Sequence, residues 1–164
     1  RWIILACFLG FSCDEPNELV PLNYPRLSLE SEDESVNLGE SINVKIKIKN
    51  VDIPLFGTYL KISIDTSKFE INENNFFQIG EYWGDNSISF DHYENENLHL
   101  TIVNTQIHEE TTSDGILGQL NFRALASGET ELNFFNQECE FYNLLGEIID
   151  IPDLEFENIS IKIN

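Results

Sequence analysis

The chain has 164 residues, 41% of them hydrophobic, which suits one domain with a full core. Its 29 acidic residues against 9 basic give a net charge of −20. That charge repels nucleic acid, which is bound through Lys and Arg contacts to phosphate, and resists adsorption to anionic lipid; it favours solubility or a partner with a basic patch.

Twelve Phe and no Met predict a rigid, aromatic-rich core, and the missing Met implies that Arg1 follows a longer basic segment. Residues 2–11 (WIILACFLGF) form an uncharged apolar run, too short for the roughly 20 residues that span a bilayer but suited to the core of a secretory signal. Ser12-Cys13 follows, and charge begins at Asp14. This resembles a bacterial lipoprotein signal in which Cys13 is lipidated. It departs from that pattern at Gly10, where Leu is usual, and an ordinary secretory signal is the alternative. Membrane association is expected only through that anchor. With Cys7 lost and Cys13 lipidated, Cys139 has no partner, so neither a disulfide framework nor a paired-Cys metal site is expected.

Residues 14–25 carry Pro16, Pro21 and Pro25 without periodicity and read as an extended tether, giving a division into signal 1–13, tether 14–25 and sandwich domain 26–164. Leu27 and Leu29 open the first strand. The acidic stretch 30–35 lacks the D-x-[DN]-x-[DN]-G spacing that wraps calcium. Ile42, Val44, Ile46 and Ile48 alternate with Asn43, Lys45, Lys47 and Lys49, a period-2 strand with one wet face whose lysines balance neighbouring acids. Leu60, Ile62 and Ile64 give the next buried face. Residues 69–79 read as a weaker strand. Ile88 and Phe90, then Leu98, Leu100 and Ile102, form two strands joined across Glu94-Asn95-Glu96-Asn97. In each the apolar residues are expected inward. Ile116, Leu120, Phe122 and Ala124 are expected to face inward along a long strand. Leu132 and Phe134 begin another strand, and Ile159, Ile161 and Ile163 make a closing one. About nine strands with frequent turns and no long helical period predict an all-β, antiparallel two-sheet sandwich.

Three stretches carry a family resemblance. They are residues 36–50 (VNLGESINVKIKIKN), 57–71 (GTYLKISIDTSKFEI) and 115–134 (GILGQLNFRALASGETELNF). Their order and spacing resemble the cohesin domain, over residues 27 to 164. Thr66 stands after Asp65, where the family usually has Pro. The resemblance implies a nine-stranded jelly roll that docks dockerin-like protein modules, without catalysis, through one sheet face. The strands matched to that face are residues 57–65, 88–93, 98–104 and 131–135. Reading their alternation outward selects Tyr59, Lys61, Ser63 and Asp65; Ser89, Asp91 and Tyr93; His99, Thr101 and Val103; and Glu131, Asn133 and Phe135. Tyr59, Tyr93 and Phe135 are the candidate anchors, since interfaces need aromatic anchors within a polar rim.

Two other readings stand beside this one. Tyr82 and Trp83, with Asp85 and Asn86, sit among turn residues that could present a ring to a polysaccharide. The chain could equally be a structural surface lipoprotein. An enzyme is not expected. The three His are dispersed, with His92 and His99 meeting only across a hairpin. His108-Glu109-Glu110 lacks the second His of a zinc-protease helix, and there is no G-x-S-x-G turn or phosphate loop. No cofactor or metal is expected.

Overall fold

The computed structural model describes residues 23–33, 35–72, 75–105 and 114–164. The stretch read as a signal, with Cys7 and Cys13, most of the stretch read as a tether, and His108 lie outside them. Fourteen strands are present among the described residues: β1 (Arg26–Ser31), β2 (Ser35–Val36), β3 (Ser41–Lys49), β4 (Gly57–Ser63), β5 (Phe69–Glu70), β6 (Phe77–Ile79), β7 (Ser87–Glu94), β8 (Asn97–Asn104), β9 (Gly115–Ala124), β10 (Gly128–Phe134), β11 (Glu140–Tyr142), β12 (Ile148–Ile149), β13 (Glu155–Glu157) and β14 (Ile159–Ile163). The count exceeds nine because several are two- or three-residue pieces. The weak strand at 69–79 is two such pieces, β5 and β6, both paired with β9.

One sheet runs β13-β1-β3-β9-β5, with β6 also on β9. The other runs β12-β11-β4-β10-β14-β2, and β8 pairs with β4 and carries β7 outside it. Pairing is antiparallel except for β1 with β13 and β14 with β2. The inner faces meet in a core that includes Leu27, Ile46, Ile48, Leu60, Ile62, Phe69, Phe76, Trp83, Leu100 and Phe122, all under 3% exposed. The strict alternation of β3 is seen as read. Ile42, Val44, Ile46 and Ile48 are buried, while Lys45, Lys47 and Lys49 lie outward against Glu32 and Glu30 at 2.5–3.2 Å.

Long strand β9 departs from simple alternation. The register shifts between Ile46 and Lys47, so that Ile46 opposes Gly118 and Lys47 opposes Ile116. The extra residue is a bulge, which carries one strand from one face to the other. Leu117 therefore fills the core in place of the expected Ile116, which is half-buried opposite Lys47, while Leu120, Phe122 and Ala124 keep their inward places.

The β7–β8 hairpin brings a second correction. Asn95 and Glu96 have φ of 49° and 62°, the left-handed pair of a two-residue hairpin turn. That turn sets Tyr93 opposite Leu98, Asp91 opposite Leu100 and Ser89 opposite Ile102. Because Leu98, Leu100 and Ile102 are fully buried, Ser89, Asp91 and Tyr93 point to the core side and not outward, and Tyr93 packs against the core. Ile88 and Phe90, expected inward, are 46% and 63% exposed. On this edge strand, pairing with β8 overrides the strand's own hydrophobic pattern, since a one-residue slip would turn every side chain over.

Candidate docking surface

Strands β7, β8, β4 and β10 lie side by side, and their outward residues line up in rows perpendicular to the strands. One row runs His92, His99, Lys61, Phe135. His92 opposes His99, His99 opposes Lys61, and the Phe135 amide donates to the Lys61 carbonyl at 2.9 Å. The next runs Phe90, Thr101, Tyr59, Glu140. A third runs Ile88, Val103, Gly57, Tyr142. A fourth holds Glu94, Asn97, Ser63 and Asn133. The surface therefore assembles Tyr59, Lys61, Ser63, His99, Thr101, Val103, Asn133 and Phe135 as the sequence suggests. To these it adds Ile88, Phe90 and His92, which replace Ser89, Asp91 and Tyr93. Glu131 lies on β10 further along and is exposed, opposite Ser160 of β14. Asp65 stands past the end of β4, where its carboxylate accepts from the Ser67 amide at 2.9 Å and the Ser67 hydroxyl at 2.6 Å, and so closes a turn.

Several of these side chains are fixed by one another. The Tyr59 hydroxyl lies 2.8 Å from His99 Nδ1. Burial raises the Tyr59 phenol above its ordinary value, so it remains protonated. Burial, then the neighbouring His92 and Lys61, hold His99 below the ordinary imidazole value. Lys61 Nζ pairs with Glu138 at 2.8 Å and sits 4.6 Å from the centre of the Phe135 ring, a cation–π contact that orients an otherwise loose aromatic. Cys139, half-buried with its thiol 4.0 Å from the Lys61 carbonyl, has that thiol pushed up to about 11 by burial.

The third row is interrupted by Gly57, which has no side chain, and the gap becomes the floor of an open pocket of about 580 Å³. Tyr59, Val103, Tyr142 and Leu144 wall it. Beyond its rim the 143–147 turn exposes Leu144 (50%) and Leu145 (79%). Exposed Ile, Phe, Val and Leu are thus gathered on one face of a chain of charge −20.

The polysaccharide platform is not formed as the sequence suggested. Trp83 lies in a short 3₁₀ helix (Glu81–Trp83), is 1% exposed, and donates its indole N–H to the Leu117 carbonyl at 3.0 Å. Tyr82 packs edge-on against it, with ring centres 5.1 Å apart, and its phenol is pushed up to about 12 by burial. Trp83 thus closes one end of the core and offers no face to a sugar, while Asp85 is exposed and Asn86 half-buried in the loop beyond.

Two packed, almost wholly antiparallel sheets define an all-β sandwich. The chain belongs to the cohesin domain family: the cohesin domain model matches residues 27–150. Similar solved structures include Coh3ScaB in a mutant type II cohesin–X-dockerin complex from Acetivibrio cellulolyticus. It is 15% identical, covers 85% of this chain and 99% of that one, and has a TM-score of 0.72. A non-cellulosomal cohesin from Archaeoglobus fulgidus is 20% identical, with 86% and 91% covered and a TM-score of 0.66. Type II cohesin A11 from Bacteroides cellulosolvens is 9% identical, with 85% and 99% covered and a TM-score of 0.73. At these identities the likeness is one of fold. No curated protein matches the chain.

Proposed function

We propose that the chain is a non-catalytic docking module that receives a dockerin-like protein through the outer face of β7-β8-β4-β10, and that Cys13 carries a lipid anchoring it to the cell envelope after export. The observation that carries this reading is the face itself. Phe90, Ile88, Val103 and Tyr59 stand together on contiguous strands, beside an open pocket of about 580 Å³ with room for several apolar side chains of a partner. An aromatic centre, the Lys61–Phe135 pair and a rim of Ser63, Asn133 and Glu131 follow the usual plan of an apolar core with a polar edge. Membership of the cohesin family supports a protein as the partner, and one structural neighbour forms a complex with X-dockerin.

The test is a binding series with calcium-loaded dockerin modules flowed over the immobilised chain. The expected result is saturable binding by at least one module, weakened at least tenfold by Phe90→Ala. Absence of binding across the series, together with no effect of Phe90→Ala on capture of any exported protein, would overturn the assignment. The anchor is tested separately, since Cys13→Ser in the producing cell should move the protein from the membrane to the soluble fraction.

A further inference from the structure

At the free edge of the same face, the β7–β8 hairpin assembles a cluster whose chemistry goes beyond docking. His92 and His99, two of the chain's three histidines, are directly opposed across the hairpin. Their rings lie parallel, with centres 4.5 Å apart and planes at 6°. Glu94, two residues beyond His92 and on the same face of β7, completes the group. One ligand atom from each of the three lies within 4.8 Å of the other two. We propose that His92, Glu94 and His99 form a surface site for a divalent cation of the Zn²⁺ class.

The donor set selects the metal. Two imidazoles and a carboxylate suit Zn²⁺, Cu²⁺ or Ni²⁺, whereas Ca²⁺ and Mg²⁺ take oxygen ligands. Zn–N and Zn–O bonds of about 2.1 Å place tetrahedral donors about 3.4 Å apart, so a spread within 4.8 Å closes by side-chain rotation alone. His92 and Glu94 are exposed and free to make that rotation. His99 is the fixed member. Tyr59 holds its Nδ1 at 2.8 Å, which leaves Nε2 for the metal, the arrangement in which an outer partner orients a ligating imidazole. The nearest cation, Lys61, is drawn to Glu138 at 2.8 Å and to the Phe135 ring, so its charge is directed away from the cluster. Three protein ligands leave the fourth position to water. The sequence already brings His92 and His99 near each other across a hairpin, and the register shows that they are directly opposed with Glu94 beside them.

The experiment is calorimetric titration of the full chain with ZnCl₂, alongside His92→Ala, His99→Ala and Glu94→Gln. His92 and Glu94 are exposed and His99 is half-buried on the outer face, and circular dichroism checks that each variant keeps its β signal. The expected result is one equivalent bound at micromolar Kd by the native chain. Binding should weaken at least tenfold in each histidine variant and several-fold in Glu94→Gln, and the ring resonances of His92 and His99 should shift on Zn²⁺ addition. Millimolar Ca²⁺ or Mg²⁺ should not compete. Equal Zn²⁺ affinity in His92→Ala and the native chain would overturn the proposal by assigning the ion to other groups, such as the cysteines or His108. So would absence of binding at millimolar Zn²⁺. Docking is read separately, with dockerin modules and Phe90→Ala, so failure of the metal site and failure of the docking reading are distinguishable.

Discussion

The Tyr59 hydroxyl lies 2.8 Å from His99 Nδ1 and ties the middle of β4 to β8 on the exposed side of the sheet. Both residues are half-buried, so neither polar atom is freely compensated by water. Tyr59→Phe removes the hydroxyl and leaves the ring in place. Losing one hydrogen bond at a partly buried site costs about 1 kcal/mol. Urea unfolding should therefore show a lower midpoint at unchanged slope. An unchanged midpoint would mean that water replaces the hydroxyl without loss.

The orientation of β7 is tested by a contrast between two aromatic residues three positions apart. Phe90 is 63% exposed, whereas Tyr93 packs against the core. Phe90→Ala should leave stability within about 0.5 kcal/mol, as for most surface substitutions. It should weaken partner binding at least tenfold, about 1.4 kcal/mol, as an anchor does. Tyr93→Ala should do the opposite, lowering stability by about 1–2 kcal/mol and sparing affinity. The reversed pattern would return β7 to the orientation its own hydrophobicity suggests.

The same strand separates what was legible in the sequence from what was not. The alternation of Ile42, Val44, Ile46 and Ile48 is buried as read, because β3 lies between β1 and β9 and its inner face covers the core. Ile88 and Phe90 alternate as cleanly and are exposed, because β7 sits at an edge and takes its register from β8. The signals for this were in the chain. Leu98, Leu100 and Ile102 fix the inward face of β8, and a two-residue turn at Asn95-Glu96 then forces Ser89, Asp91 and Tyr93 to that side. Joining the two would have found Phe90. The bulge that exchanges Ile116 for Leu117 had no such signal in the local pattern. Trp83 is a third kind of case, since a loop-like sequence around a large ring does not reveal whether the ring turns in or out, and here the Leu117 carbonyl holds it in.

Gly118 is required by packing. A Cβ built there would stand 2.3 Å from Phe77 Cε2, inside any tolerable contact. Phe77 belongs to the short strand β6 that lies against β9, so its ring has little room to retreat. Gly118→Ala should cost about 1–3 kcal/mol, the usual range for overpacking a tight core. Chemical denaturation measures it. Adding Phe77→Leu, which shortens the ring side chain, should recover part of the loss. No recovery would place the strain in the backbone.

Glu30 gives the protein an acid-sensitive element on the sheet opposite the docking face. Its carboxylate accepts from Lys47 at 2.5 Å, Lys49 at 3.2 Å and Ser28 at 3.0 Å. Lys47 foremost, then Lys49 and Ser28, lower it from 4.5 to about 2. A carboxylate whose folded value is depressed stabilises the fold above its unfolded value, and that contribution disappears as pH falls through the folded one. The window therefore runs from about 4.5 down to about 2. The Glu30 side chain is 35% exposed, so solvent screens the pair and its worth at neutral pH is at most about 1 kcal/mol. Glu30→Gln should be less stable than the native chain by that amount above pH 5. The gap should shrink through the window and close near its lower end, and added salt should narrow it at neutral pH. Stability profiles of the two proteins across that range decide the point, since a gap that persisted at the acid end would assign the loss to packing of the Gln side chain and not to the ion pairs.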